Sequence, residues 1–167
     1  MIDQKAGTFQ ALGNVQSAVY GAKSHKNGHD SSEPAYVTAG TMLYQRDARE
    51  IQYRDSVDVR QGTERLSGAA VDVYLDERNQ LSKSVAEGNV VMTEPGRRGT
   101  GNWVQYTAAD DVAILRGDPA TVTDAESGTS TGAQMTFNRR DNRVVTEGKP
   151  KPNTSGRTRS VYKVKPQ

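Results

Sequence analysis

The sequence predicts an all-β fold: antiparallel strands arranged as an open, solenoid-like sandwich built from repeats of about 30 residues. Three observations carry that expectation. Apolar residues alternate with polar ones at period two over most of the chain, the mark of strands with one buried and one wet face. A small residue followed at +3 and +5 by apolar or aromatic residues recurs at Ala39, Gly68, Gly101 and Gly132, at spacings of 29, 33 and 31 residues. Long runs of good helix formers are absent, while Gly, Thr, Val and Asp are plentiful. A period of this length marks a repeat architecture in which no unit buries its own apolar face alone.

Taken in order, Phe9, Ala11, Val15 and Val19 share one parity, and ALGNV looks like the second half of an earlier copy, so the chain is expected to begin inside a repeat. Residues 22–35 (AKSHKNGHDSSEPA) have the composition of a turn-rich loop inserted into the first repeat. Ala39, Met42 and Tyr44 open the next unit. From Glu50 to Arg60 every even position is polar, whereas Ile51, Tyr53, Val57 and Val59 fill the odd ones, with Asp55 the exception. The rhythm continues through Val71, Val73 and Leu75, through Val90 and Met92, and through Met135 and Phe137. Polar turns (QRDARE, DERNQ, TAADD, RRDNR) separate the strands. Residues 1–150 form the sheet domain, and residues 151–167 a basic tail whose VYKVK reads as a lysine-protected edge strand.

Composition narrows function. The net charge of +2 is too small to indicate nucleic acid. The chain lacks cysteine, so no disulfide stabilises it. No 18-residue apolar stretch is present to span a membrane, and MIDQKAGTFQ does not have the regions of a signal peptide.

Candidate chemistry is sparse. GTSTG (residues 128–132) fits the G-x-S-x-G pattern, but a nucleophile elbow needs a strand-to-helix turn and a histidine base, so Ser130 reads as a turn residue. GRRGTG (Gly96–Gly101) has the glycines of a phosphate-cradling loop without the Gly-Lys-Ser/Thr ending, and reads as a hairpin loop. His25, His29 and Asp30 have near-ligand spacing, but Asn27 and Gly28 break any helix that could present them, which leaves a solvated loop. Asp76–Glu77 and Asp110–Asp111 occupy equivalent turns, where aspartate serves turn geometry rather than glycoside chemistry. Trp103 has the parity opposite to Val104 and Tyr106, which places it on an outer face or edge. What remains is an apolar stripe of Tyr44, Tyr53, Val73, Leu75, Val90, Met92, Tyr106, Met135 and Phe137, which must be covered by a second sheet or by a ligand.

The run GNVVMTEP…GNWVQYTAADDVAILRGDPATVTDAESGTSTGAQMTFNRRDNRVVTEG resembles the OstA-like domain of lipopolysaccharide transport proteins. That family, with LptA, LptC and the N-terminal domain of LptD among its members, shares an A-x-G-N-V strand. It also shares a Y…L-x-G-x-P/A-x-V strand pair and a closing hairpin. The resemblance extends from about Thr38 to Gly148 and more weakly over ALGNV. It implies an OstA-like β-jelly roll, open along one side, whose lumen shields lipopolysaccharide acyl chains in the periplasm. The nine stripe residues would then line the lipid-binding lumen, with no catalytic residue, cofactor or metal. The implied partners are lipopolysaccharide and other Lpt-type jelly rolls joined head to tail through edge strands. A closed-core structural β-solenoid of the cell surface is the alternative for the same periodicity, and a β-helix enzyme acting on polysaccharide is the weaker third.

Overall fold

In the computed structural model, the described residues are 7–20, 24–26, 29–31, 33–148 and 159–163, with backbone alone described for 24–26, 29–31 and 159–163, and the strands are counted among these. Twelve strands run β1 (Thr8–Val19), β2 (Ser24–Lys26), β3 (His29–Ser31), β4 (Ala35–Gln45), β5 (Glu50–Gln61), β6 (Glu64–Leu75), β7 (Leu81–Glu94), β8 (Arg97–Thr107), β9 (Val112–Asp124), β10 (Gly128–Asn138), β11 (Arg143–Glu147) and β12 (Arg159–Lys163). Ten of them form one antiparallel sheet in the order β1-β4-β5-β6-β7-β8-β9-β10-β11-β12. Within the segment read as a loop insertion, β2 and β3 pair with each other as a separate two-stranded sheet, His25 opposite Asp30.

Each repeat is one hairpin, and each long strand is broken near its middle. The ladder loses register between Leu12 and Val15, Thr38 and Thr41, Arg54 and Val57, Ser67 and Ala70, Glu87 and Val90, Thr100 and Trp103, and Gly132 and Gln134. The breaks form a line across the sheet. Two kinds of strand build it. Bulging strands place two consecutive residues at positive φ: Gly13–Asn14, Asp55–Ser56 and Gly88–Asn89. Glycine, Asn and Asp tolerate that conformation best, and a bulge of this kind bends its strand. The intervening strands carry small residues that admit the bend. A Cβ added at Gly40 would lie 2.6 Å from the Cβ of Asp55, and one at Gly132 would lie 2.6 Å from the carbonyl oxygen of Glu147. The small residue that recurs every 30 or so positions is therefore the crease. Asp55, the exception to the alternation of β5, is one of the two bulged residues.

Along this crease the sheet doubles back, and its two halves pack face to face. One buried cluster draws on both: Val37, Val57, Val90 and Val122 from one half, Tyr53, Leu115, Met135 and Val144 from the other. Near the crease a Cβ on Gly99 would lie 3.2 Å from Leu115 across the interface. Farther out, the Ser17 and Tyr53 hydroxyls hydrogen-bond at 2.7 Å. At the strand tips the Tyr20 carbonyl accepts the Leu81 N–H at 2.9 Å, and Arg139 pairs with Glu64. Both tip contacts join strands four places apart in the sheet order, β1 with β7 and β6 with β10. The halves thus cross at an angle, as the twist of packed sheets requires. The line of tip contacts is the seam of the folded sheet.

Two local expectations are corrected. Ser130 is a strand residue of β10, paired with Val122, and the turn before it is Ala125–Ser127. The Asp124 carboxylate draws that turn tight by accepting the N–H groups of Glu126 and Ser127, both at 2.9 Å, so the ladder starts at Gly128. In GRRGTG only Gly96 is a turn residue, with φ of 76°. The turn needs just Pro95 and Gly96, and Arg97 already pairs with Glu94 in the ladder.

Candidate functional site

The doubled sheet encloses an apolar interior, and the alternation of the sequence decides which side chains fill it. Tyr53, Val73, Val90, Met135 and Phe137 belong to the buried cluster, with Leu75, Met92 and Tyr106 packed against it. Tyr44 shares its face through its rungs with Phe9 and Ile51 and is half-buried near the β1 edge. The nine residues singled out in the sequence thus share one interior face. Most of that interior is filled. A cavity of about 150 Å³ remains near the seam, and of the nine only Met92, Tyr106 and Phe137 line it. A void of this size holds a benzene-sized apolar group.

Polar side chains at the inner rim were not legible in the sequence. Arg97 faces inward in the same parity as Gly99 and bridges Glu94 (2.7 Å) and Asp124 (3.3 Å), with only 10% of its side chain exposed. Burial pushes the Asp124 carboxyl up, but the Ser127 and Glu126 N–H groups and the Arg97 guanidinium outweigh it and hold the group below the usual aspartate range. On the opposite lip the Tyr106 hydroxyl donates to Asp111 at 2.9 Å, and the Arg139 guanidinium lies 5.7 Å from the Tyr106 ring centroid. Burial pulls the Arg139 pKa down, and the negative charges of Glu64 and Asp111 hold it above the usual arginine value. Glu64, Glu94, Arg97 and Arg139 all reach the cavity. The interior is apolar at depth and paired in charge at its seam.

The outer face has a different character. Glu87, Trp103, Arg116 and Gln134 follow one another across β7 to β10. Arg116 lies over the Trp103 ring, 4.6 Å from its centroid, and donates to Gln134 at 2.8 Å. Trp103 is thereby an outer-face residue, as its parity predicts. Asp76 caps its turn by accepting the N–H groups of Arg78 (2.8 Å) and Gln80 (3.0 Å). Asp111 lies in the β8–β9 turn, with its backbone N–H on the Ala108 carbonyl. Among the described residues no group of acids and histidines is placed to hold a metal ion. The side chains of His25, His29 and Asp30 lie outside the described residues, and no helix among those described is long and apolar enough to cross a membrane.

A single antiparallel sheet creased across its strands, with an apolar interior and a polar seam, defines an open β-jelly roll. Residues 36–143 match the family described as LptA/(LptD N-terminal domain) LPS transport protein. The chain belongs to that family, an OstA-like, LptA-type group of lipopolysaccharide transport proteins. Among solved structures it is similar in fold to LptH from Pseudomonas aeruginosa, described as the LptA homologous periplasmic component of the conserved lipopolysaccharide transport device. That likeness has a TM-score of 0.64 at 19% identity and covers 80% of this chain and 96% of LptH. A comparison with curated protein sequences gives no match.

Proposed function

We propose that this chain is a periplasmic lipopolysaccharide-binding module that shields acyl chains between the inner and outer membranes in the interior of its folded sheet. The observation that carries this reading is the unbroken apolar face running from Tyr53 to Phe137, with a cavity opening at the seam, in a member of a lipopolysaccharide transport family. Each acyl CH2 kept from water contributes about 0.8 kcal/mol, so several chains cannot cross an aqueous compartment bare. No chemical step is needed, only enclosure. The cavity takes a ring-sized group, so a whole acyl chain enters only when the two halves part at the seam. Among the described residues β1 and β12 are the edges of the sheet, and in this reading they join it to other Lpt-type jelly rolls.

A benzophenone side chain at position 137 should capture lipopolysaccharide on irradiation, whereas one at Gln105, on the outer face, should not. Equal capture at both positions, or none at either, would replace the lumen with the closed-core solenoid. That alternative draws support from the fully buried Tyr53, Leu115 and Met135.

A further inference from the structure

We infer that Arg139 is an anion subsite at the mouth of the cavity, closed by Glu64 in the empty protein and taken over by the phosphate group of an entering lipid. The inference rests on the lumen reading above and adds to it a head-group contact. Arg139 follows β10, and Glu64 opens β6 on the facing half. Each side chain is only 18% exposed, and both line the cavity beside Tyr106 and Phe137. The pair is a rung of the seam, and the seam must part for any chain longer than a ring to enter. Parting it separates Arg139 from Glu64.

A sheltered guanidinium stays protonated, and taking away one of the anions that neutralise it is costly. Glu64 withdraws with the tip of its hairpin, while Asp111 remains on the half that holds Arg139. The vacated position, at the rim of an apolar cavity, suits a phosphate attached to an apolar tail. The planar fork of arginine grips such oxygens in pairs. Arg97 does not share this fate. Both its ion-pair partners, Glu94 and Asp124, lie on its own half, so opening the seam takes neither away, whereas Arg139 keeps Asp111 and loses Glu64.

The test compares dodecyl phosphate with the uncharged dodecyl maltoside, each below its micelle concentration, by calorimetry on the full chain. Wild type should favour the phosphate. Glu64→Gln should ease entry of both ligands and raise the preference for dodecyl phosphate over the maltoside by about tenfold, the weight of one sheltered charged hydrogen bond. Arg139→Gln should abolish the preference and keep maltoside binding. The double variant Glu64→Gln/Arg139→Gln removes both charges of the seam pair together, and supplies the same reading should the single arginine variant fail to fold. A phosphate preference that survives removal of Arg139, or wild type with no preference, overturns the subsite while the lumen stands. Failure of wild type to bind the maltoside overturns the lumen itself. Inorganic phosphate should not compete at equal concentration, and effective competition would mark a free-phosphate site in place of a lipid head-group site.

Discussion

Tyr53 shows how one side chain can tie the two halves of this sheet together. Its ring is fully buried, yet its hydroxyl meets Ser17 on the opposing half. Burial raises its pKa above the usual tyrosine value near 10, and the Ser17 hydrogen bond offsets only part of that rise. A group with a raised folded-state pKa contributes stability that is complete below the unfolded value and lost as pH climbs through the folded one. Wild-type stability should therefore fall above about pH 10, and Tyr53→Phe should flatten that fall. At neutral pH the same change should cost about 1 kcal/mol, the net value of one hydrogen bond. Denaturant titrations at pH 7, 9 and 10.5 would decide it, and an unchanged alkaline slope would remove Tyr53 from the account. Tyr53 was legible as an inward residue because alternation alone fixes its face. Arg97, Glu94, Glu64 and Arg139 were not. A charged residue in an alternating strand reads as solvent-facing, and RRDNR reads as a plain polar turn. Their partners are set by the offset between the halves, which no local pattern encodes.

At the scale of the strand, the crease is the element that makes the fold. A Cβ at Gly101 would sit 2.5 Å from the Arg116 carbonyl oxygen and 2.8 Å from Leu115, whereas one at Gly68 has its nearest neighbour, the Glu87 carbonyl oxygen, at 3.3 Å. Gly101→Ala and Gly132→Ala should each cost about 1–3 kcal/mol by overpacking, and Gly68→Ala clearly less. Urea unfolding of the three variants would rank them. A Gly68→Ala protein as damaged as the other two would mean that the crease is not limited by space. The repeat that led to these positions was visible in the sequence as spacing. Its meaning was hidden, because the chain bends without leaving the strand and Ala39, Gly68, Gly101 and Gly132 look like strand starts. Across the crease of β4, for example, the inward parity passes from Val37 and Ala39 to Met42. Ser130 was misplaced for a related reason: a Gly-Thr-Ser-Thr-Gly run has turn composition, and the tight turn capped by Asp124 moves the ladder's start to its first residue.

For the whole molecule, the sheet ends in two different edges, β1 and β12. An edge that pairs with its opposite on another copy makes a heterologous contact that need not close. The sequence there carries Lys163 and Lys165, and lysine on an edge discourages pairing, so such a contact is expected to be weak. Sedimentation should show weak association that grows with concentration and passes beyond a dimer without a plateau. A compact two-fold dimer would place the interface elsewhere. The fold class was readable, because alternation and polar turns recur along the chain as antiparallel strands require. The crossing of the halves was not, as it depends on the accumulated twist of many strands.

The four-place offset at the seam also sets a schedule. Among the described tip contacts, Tyr20 meets its partner only once Leu81 has been made, four strands later in the sheet. Arg139 must follow before Glu64 is matched. Ser17 finds Tyr53 sooner, so the deeper contact between the halves can form before the tips are joined, and each later repeat closes its tip over one completed two hairpins earlier. Tip closure therefore lags synthesis by four strands, and the later strands are the ones that shut the book on those already folded.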